Sequence, residues 1–162
     1  MALTTAQLTT IKAHILASPD MSVQPMSSDG AFEIARLFNL QASPAFTVWR
    51  SNVSANEIGN AWVGTDIDGM SSLNMQRLQL LLASSPQGVF DMSRADRRAG
   101  FENPFGTNVN NASRVAMRAI WKRLVSRAEK LFATGTGSDA DPAVAGWEGS
   151  ISYQDVQQAR DL

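Results

Sequence analysis

The chain has 162 residues, 44% of them hydrophobic and 18% charged, with a formal net charge of −1. That length is enough to bury a core in one domain, and the absence of cysteine excludes disulfides, thiolate zinc sites and cysteine nucleophiles. No apolar run approaches the roughly 18 residues that would cross a bilayer, and Met1 to Gln7 lacks the basic and apolar blocks of a signal peptide. A soluble chain that uses neither membrane nor that export route is expected.

With so little charge, much of the surface must be Ser, Thr, Asn, Gln and Ala. Such a surface is cheap to desolvate and suits burial in an assembly. The charge is also uneven. From Asp91 to Lys130 there are nine Lys or Arg against four acids, a local +5, which leaves −6 on the remainder. An intramolecular or head-to-tail intersubunit match between these regions follows naturally, as does a basic face simply bathed in solvent.

Taken in chain order, Thr4 and Gln7 form a capping box that opens a helix ending near Ser18-Pro19, with Leu8, Ile11 and Ile15 as its apolar stripe. Asp29-Gly30 starts a second helix with Ala31, Ile34, Ala35 and Phe38 on one face, ending before Ser43-Pro44. Phe46 to Trp49 reads as a strand or the packed start of a turn. Ser54 and Glu57 form a second capping box, with Ile58, Ala61 and Trp62 on the buried side. Gly64 to Gly69 reads as a loop. Apolar side chains nearly encircle the segment from Ser72 to Ser84, which is expected to be the central core helix. Ser93 to Asp96 opens a short helical turn closed by Gly100, and Asn103 to Asn111 is a turn-rich connector.

The longest periodic stretch runs from Ala112 to Phe132. It places Met117, Ile120, Trp121, Leu124, Ala128, Leu131 and Phe132 on one stripe of a single predicted helix. At 100° per residue, Arg114, Arg118 and Lys122 form one ridge, and Arg123, Arg127 and Lys130 form another on the opposite side. Gly135 is the natural C′ residue and begins a Gly-Thr-Gly hinge. Gly149 to Tyr153 alternates enough for a short strand, and Ser152 to Asp155 can cap a closing helix. The expected architecture is mainly α, a compact bundle of about five or six helices with a short β segment. Residues 1–134 would form the body, and residues 135–162 a hinge and extended C-terminal arm within one overall domain.

Candidate chemistry is sparse. His14, the lone histidine, lies off the first helix's apolar stripe and is expected to face solvent; it has no second histidine for a transition-metal site and no G-x-S-x-G for a serine triad. Asp66-Ile-Asp68 fails the calcium-loop pattern, because Met70 and Arg77 stand where ligands are required. The glycines at 135 and 137 follow a helix and are not followed by lysine, so they do not make a P-loop. Glu33, Glu57 and Glu102 are scattered, and nothing in the sequence pairs them for acid–base catalysis. The expectation is a non-enzyme with no catalytic residue, metal or cofactor. The two basic ridges suit core-flanking snorkelling, a subunit interface or contact with DNA. Trp147 and Tyr153 are either late core contacts or anchors for a partner.

Three segments carry a resemblance: Ser43-Pro-Ala-Phe-Thr-Val-Trp-Arg50, Ser126-Arg-Ala-Glu-Lys-Leu-Phe-Ala-Thr-Gly-Thr-Gly137, and Glu148-Gly-Ser-Ile-Ser-Tyr-Gln-Asp-Val156. Together they resemble a family of small tailed-bacteriophage virion proteins of the head–tail junction, over most of the chain from about Asp29 onwards. The resemblance implies a head-completion or adaptor subunit, made in the host bacterial cytoplasm and carried in the virion. Adaptors of that type form helical rings of twelve that join the portal protein to neighbouring neck or tail proteins through a C-terminal arm. DNA would pass nearby without specific binding. Basic ridges facing acidic segments could set the ring's register. Capsid decoration, tail termination and DNA binding are the alternatives.

Overall fold

The structure, a computed structural model, describes residues 2–162 and is mainly α-helical. Among the described residues there are ten α-helices: Thr5–Ala17 (α1), Pro19–Ser22 (α2), Ser28–Asn39 (α3), Ala55–Asn60 (α4), Gly64–Asp68 (α5), Ser72–Ala83 (α6), Ala95–Glu102 (α7), Ala112–Ile120 (α8), Arg127–Leu131 (α9) and Tyr153–Asp161 (α10). Six strands of two or three residues accompany them: Thr47–Trp49 (β1), Val53–Ser54 (β2), Val89–Phe90 (β3), Lys122–Leu124 (β4), Ala133–Thr134 (β5) and Val144–Ala145 (β6). The surplus over five or six helices comes from short ones, among them α5, where a loop was expected.

The chain separates into two compact units, each built from non-contiguous segments. One comprises residues 2–46, Leu124–Ala133 and Gly146–Leu162; the other comprises Thr47–Arg123 and Thr134–Ala145. The expected division at residue 134 therefore runs across both.

In the first unit, the Thr4 hydroxyl accepts from the Gln7 amide while the Gln7 side chain accepts from the Thr4 amide, so α1 starts where the capping box places it. Ser27 caps α3, and Gly30 lies so close to Pro25 that a Cβ would overlap the Pro25 carbonyl. Helices α1, α3 and α10 pack around Leu8, Ile11, Ile15, Ile34, Phe38, Val156 and Ala159. This corrects the expectation of an extended C-terminal arm. Ile151 is buried, and the Asn39 side chain clamps its backbone, donating to its carbonyl at 2.8 Å and accepting from its amide at 2.9 Å. Arg160 donates to the carbonyls of Gln24 and Pro25. Residues 149–152 form no strand; Ser152 and Asp155 do form a capping box for α10.

The predicted helix from Ala112 to Phe132 does not exist as one helix. It ends at Ile120, gives way to the extended segment β4, and restarts as α9. The restart has a local cause: the Ser126 hydroxyl accepts from the Glu129 amide, and the Glu129 carboxylate accepts from the Ser126 amide. Backbone pairing holds the break open, with Val125 donating to the Phe46 carbonyl and Arg127 to that of Leu40. Gly135 accordingly is no helix C′ residue, since α9 already ends at Leu131. Its φ of 126° instead lets the backbone pass close to Ala143.

In the second unit, β1 pairs with β4 on one side and bridges to Ala143 in parallel on the other, while β2 and β3 pair antiparallel through Val53–Phe90. Ser54 and Glu57 form the expected capping box of α4. The core gathers Val53, Ile58, Leu78, Phe90, Met92, Phe101, Met117 and Trp121. Asp66 accepts from both the amide and the hydroxyl of Ser113, so it secures the first turn of α8. Helix α7 starts without a side-chain cap and runs past Gly100 to Glu102. Helix α6 is not the central helix: only Leu78 is buried on it, and Leu73 and Leu80 are 56% and 71% exposed.

Candidate interface residues

The six cations expected to form two ridges on one helix are distributed over α8, β4 and α9, and most are engaged within their own unit. Arg114 is buried on α8, where it donates to Glu102 at 2.8 Å and to the Gly106 carbonyl at 2.5 Å. One turn on, Arg118 grips the same Glu102 carboxylate through Nε at 2.6 Å and Nη2 at 2.8 Å. Burial pushes the Glu102 carboxyl up, but the hydrogen bonds and charges of Arg118 and Arg114 outweigh it and hold the carboxyl below its usual range. Lys122, on β4, donates to the carboxylate of Asp139 at 2.7 Å. Arg123 is half-buried on the same strand.

In the first unit, Arg127 pairs with Asp20, from Nη1 to Oδ2 at 2.5 Å and from Nη2 to Oδ1 at 3.2 Å. Lys130, one turn further along α9, places its ammonium 5.3 Å from the centre of the Phe46 ring. Trp147 is half-buried and meets Phe132 edge-on at 5.6 Å; Tyr153 stacks on Phe32 at 4.1 Å. Of the two readings of these aromatics, both packing contacts favour the core. Phe32 itself remains 54% exposed.

His14 is also more enclosed than its helical position implied. It is half-buried beside the Phe38 ring at 5.5 Å, and burial followed by the Arg127 charge lowers its pKa, with Asp20 opposing. The three scattered glutamates are each taken by arginine: Glu33 by Arg36, Glu57 by Arg50 and Glu102 by Arg114 and Arg118.

Two of the clefts, one in each unit, are lined by these residues. That of the second unit encloses about 620 Å³ between Trp49, Arg98, Glu102, Arg118, Lys122 and Asp139. Arg98 lies 3.9 Å above the Trp49 ring and donates to the carbonyls of Met92 and Ser93. That of the first unit encloses about 410 Å³ between His14, Ala42, Ser43, Arg127, Lys130 and Leu131. Arg98, Asp20, Asp139 and Phe46 had no signal in the sequence, because each works through a partner remote in the chain. Part of the charge in these clefts is paired: Arg118 with Glu102 and Lys122 with Asp139 in the second unit, and Arg127 with Asp20 in the first. Among the described residues, no helix is long and apolar enough to cross a membrane. Compared with known proteins, the chain matches no family model, no curated protein and no solved structure.

Proposed function

We propose that this chain is a structural subunit of a tailed-bacteriophage particle, a head–tail connector that joins the portal to the tail as part of a homo-oligomeric ring. The observation that carries a subunit role is on α6. Leu73 and Leu80 are seven residues apart, so they share one face of the helix, and both are largely exposed while Leu78 turns inward. Isolated exposed leucines are ordinary; two on one face of a surface helix, flanking the exposed Gln76 and Arg77, give apolar contact points that a neighbouring subunit would cover. The phage-like segments add the particle type, and two of them contain the capping boxes of α9 and α10.

The charged groups support structural duty over nucleic-acid binding. Arg114, Arg118, Lys122 and Arg127, four of the six candidate cations, are matched to carboxylates, which weakens the case for a phosphate-binding face built from them.

Electron microscopy of purified phage particles with this protein labelled tests the proposal. Label at the neck is the expected result. Label over the shell would make it a decoration protein, label at the far end of the neck a tail terminator, and absence from the particle would overturn the structural reading.

A further inference from the structure

We infer that the cleft of the first unit is a recognition pocket for a carboxylate side chain of a partner protein, with Lys130 as its charged anchor. The proposal stands apart from the connector reading, since it concerns the chemistry of one cleft and not the particle that contains it.

Three observations lead there. Arg127, His14 and Lys130 line one cleft of about 410 Å³, a space that admits a side chain and is large for a lone small ion. Their charges are not equivalent. Arg127 is neutralised by two-point pairing with Asp20, and burial together with Arg127 lowers the pKa of His14, which favours the neutral ring. Lys130 meets only the face of Phe46 among the described contacts, so its ammonium keeps hydrogen-bonding capacity for an incoming acceptor. The cleft therefore offers one uncompensated positive charge, an imidazole and the Ser43 hydroxyl, and Ala42 and Leu131 supply apolar walls.

That combination matches the end and stem of a glutamate or aspartate: one negative charge for one positive charge, and methylene groups for the walls. A nucleic-acid backbone fits less well. It is a polyanion that needs a row of cations, and this cleft presents Lys130 beside an arginine already paired with Asp20. Exposed ion pairs are individually weak, so the pocket's contribution is to fix position within a larger contact.

The test is an NMR titration of the full chain with N-acetyl-glutamate N-methylamide, its glutamine counterpart, inorganic phosphate and a duplex oligonucleotide. The glutamate probe should shift the His14 ring and Lys130 side-chain resonances in a saturable way, while the glutamine probe leaves them in place. Lys130→Gln should weaken that response by about twofold to fivefold. Lys130→Arg should restore it, which separates loss of charge from loss of fold, and Lys12→Gln, outside the cleft, should leave it unchanged. Equal shifts from the two amino-acid probes, or an undiminished response in Lys130→Gln, would overturn the pocket. Saturation by phosphate or the oligonucleotide without a response to glutamate would overturn the carboxylate assignment.

Discussion

Glu102 and Arg114 face each other at 2.8 Å across α7 and α8, with only 12% and 10% of their side chains exposed. Arg118 completes the group from the next turn of α8, so one carboxylate serves two guanidinium groups and the trio keeps a net positive charge. Removing one partner of such a pair costs far more than the pair contributes, because the surviving charges stay desolvated. Glu102→Gln should therefore destabilise the protein by about 3 kcal/mol, the low end for buried pairs, since Arg118 keeps some water contact. Urea denaturation measures this. A loss under about 1 kcal/mol, as at surface pairs, would mean that the triad is effectively solvated.

The carboxylates also set an acid limit. Hydrogen bonds from Arg50 and then from the Ser54 amide and hydroxyl bring Glu57 down from 4.5 to about 2. The folded pKa lies below the unfolded one, so the stabilisation is fully present above the ordinary carboxylate range and is lost as pH falls through the folded value. Glu102 acts in the same direction. Stability should hold at neutral pH and decline as the solution is acidified below about pH 5. In an NMR titration, the Glu57 midpoint should lie near 2 and rise towards 4.5 in Arg50→Gln. A midpoint already near 4.5 in the wild type would show that the Arg50 contact is not populated.

The break between α8 and α9 can be tested by the sign of one substitution. In the middle of a continuous helix, Ser126→Ala would be neutral or slightly stabilising, because alanine is the better helix former. At the N-cap of α9 it removes the acceptor for the Glu129 amide and should cost about 1 kcal/mol. Thermal or urea unfolding reads the sign directly, and hydrogen exchange at the Glu129 amide should quicken.

That same stretch marks where the sequence stops being readable. Capping boxes at Thr4, Ser54 and Ser152 and the stripes of α1 and α3 are local signals, and each element forms where they place it. From 112 to 132 the apolar spacing stays helical across a backbone that does not. Met117 and Trp121 belong to one core, and Ala128 to the other. The decisive signal, Ser126 with Glu129, was present but was outweighed by the periodicity. Leucine content misled for α6 because hydrophobicity alone does not say which leucines find a core. The candidate site was less legible still: the cations were identifiable, but their partners, such as Asp20 for Arg127, come from distant segments.

The exposed leucines give the sharpest test of a subunit role. Leu73 and Leu80 contribute nothing to the core that gathers Leu78, so Leu73→Ser with Leu80→Ser should leave the unfolding midpoint nearly unchanged. If neighbours cover this face, the same pair should weaken self-association strongly. Fully burying a leucine contributes about 1.5–3 kcal/mol, so covering the 56% and 71% of Leu73 and Leu80 that is exposed amounts to about 2–4 kcal/mol, or roughly thirtyfold or more in affinity. Analytical ultracentrifugation of wild type and variant distinguishes the outcomes. Assembly of the wild type and its loss in a fully folded variant would place this face in an interface. Equal assembly of both, or a wild type that stays monomeric at high concentration, would remove α6 from the contact and with it the structural argument for a ring.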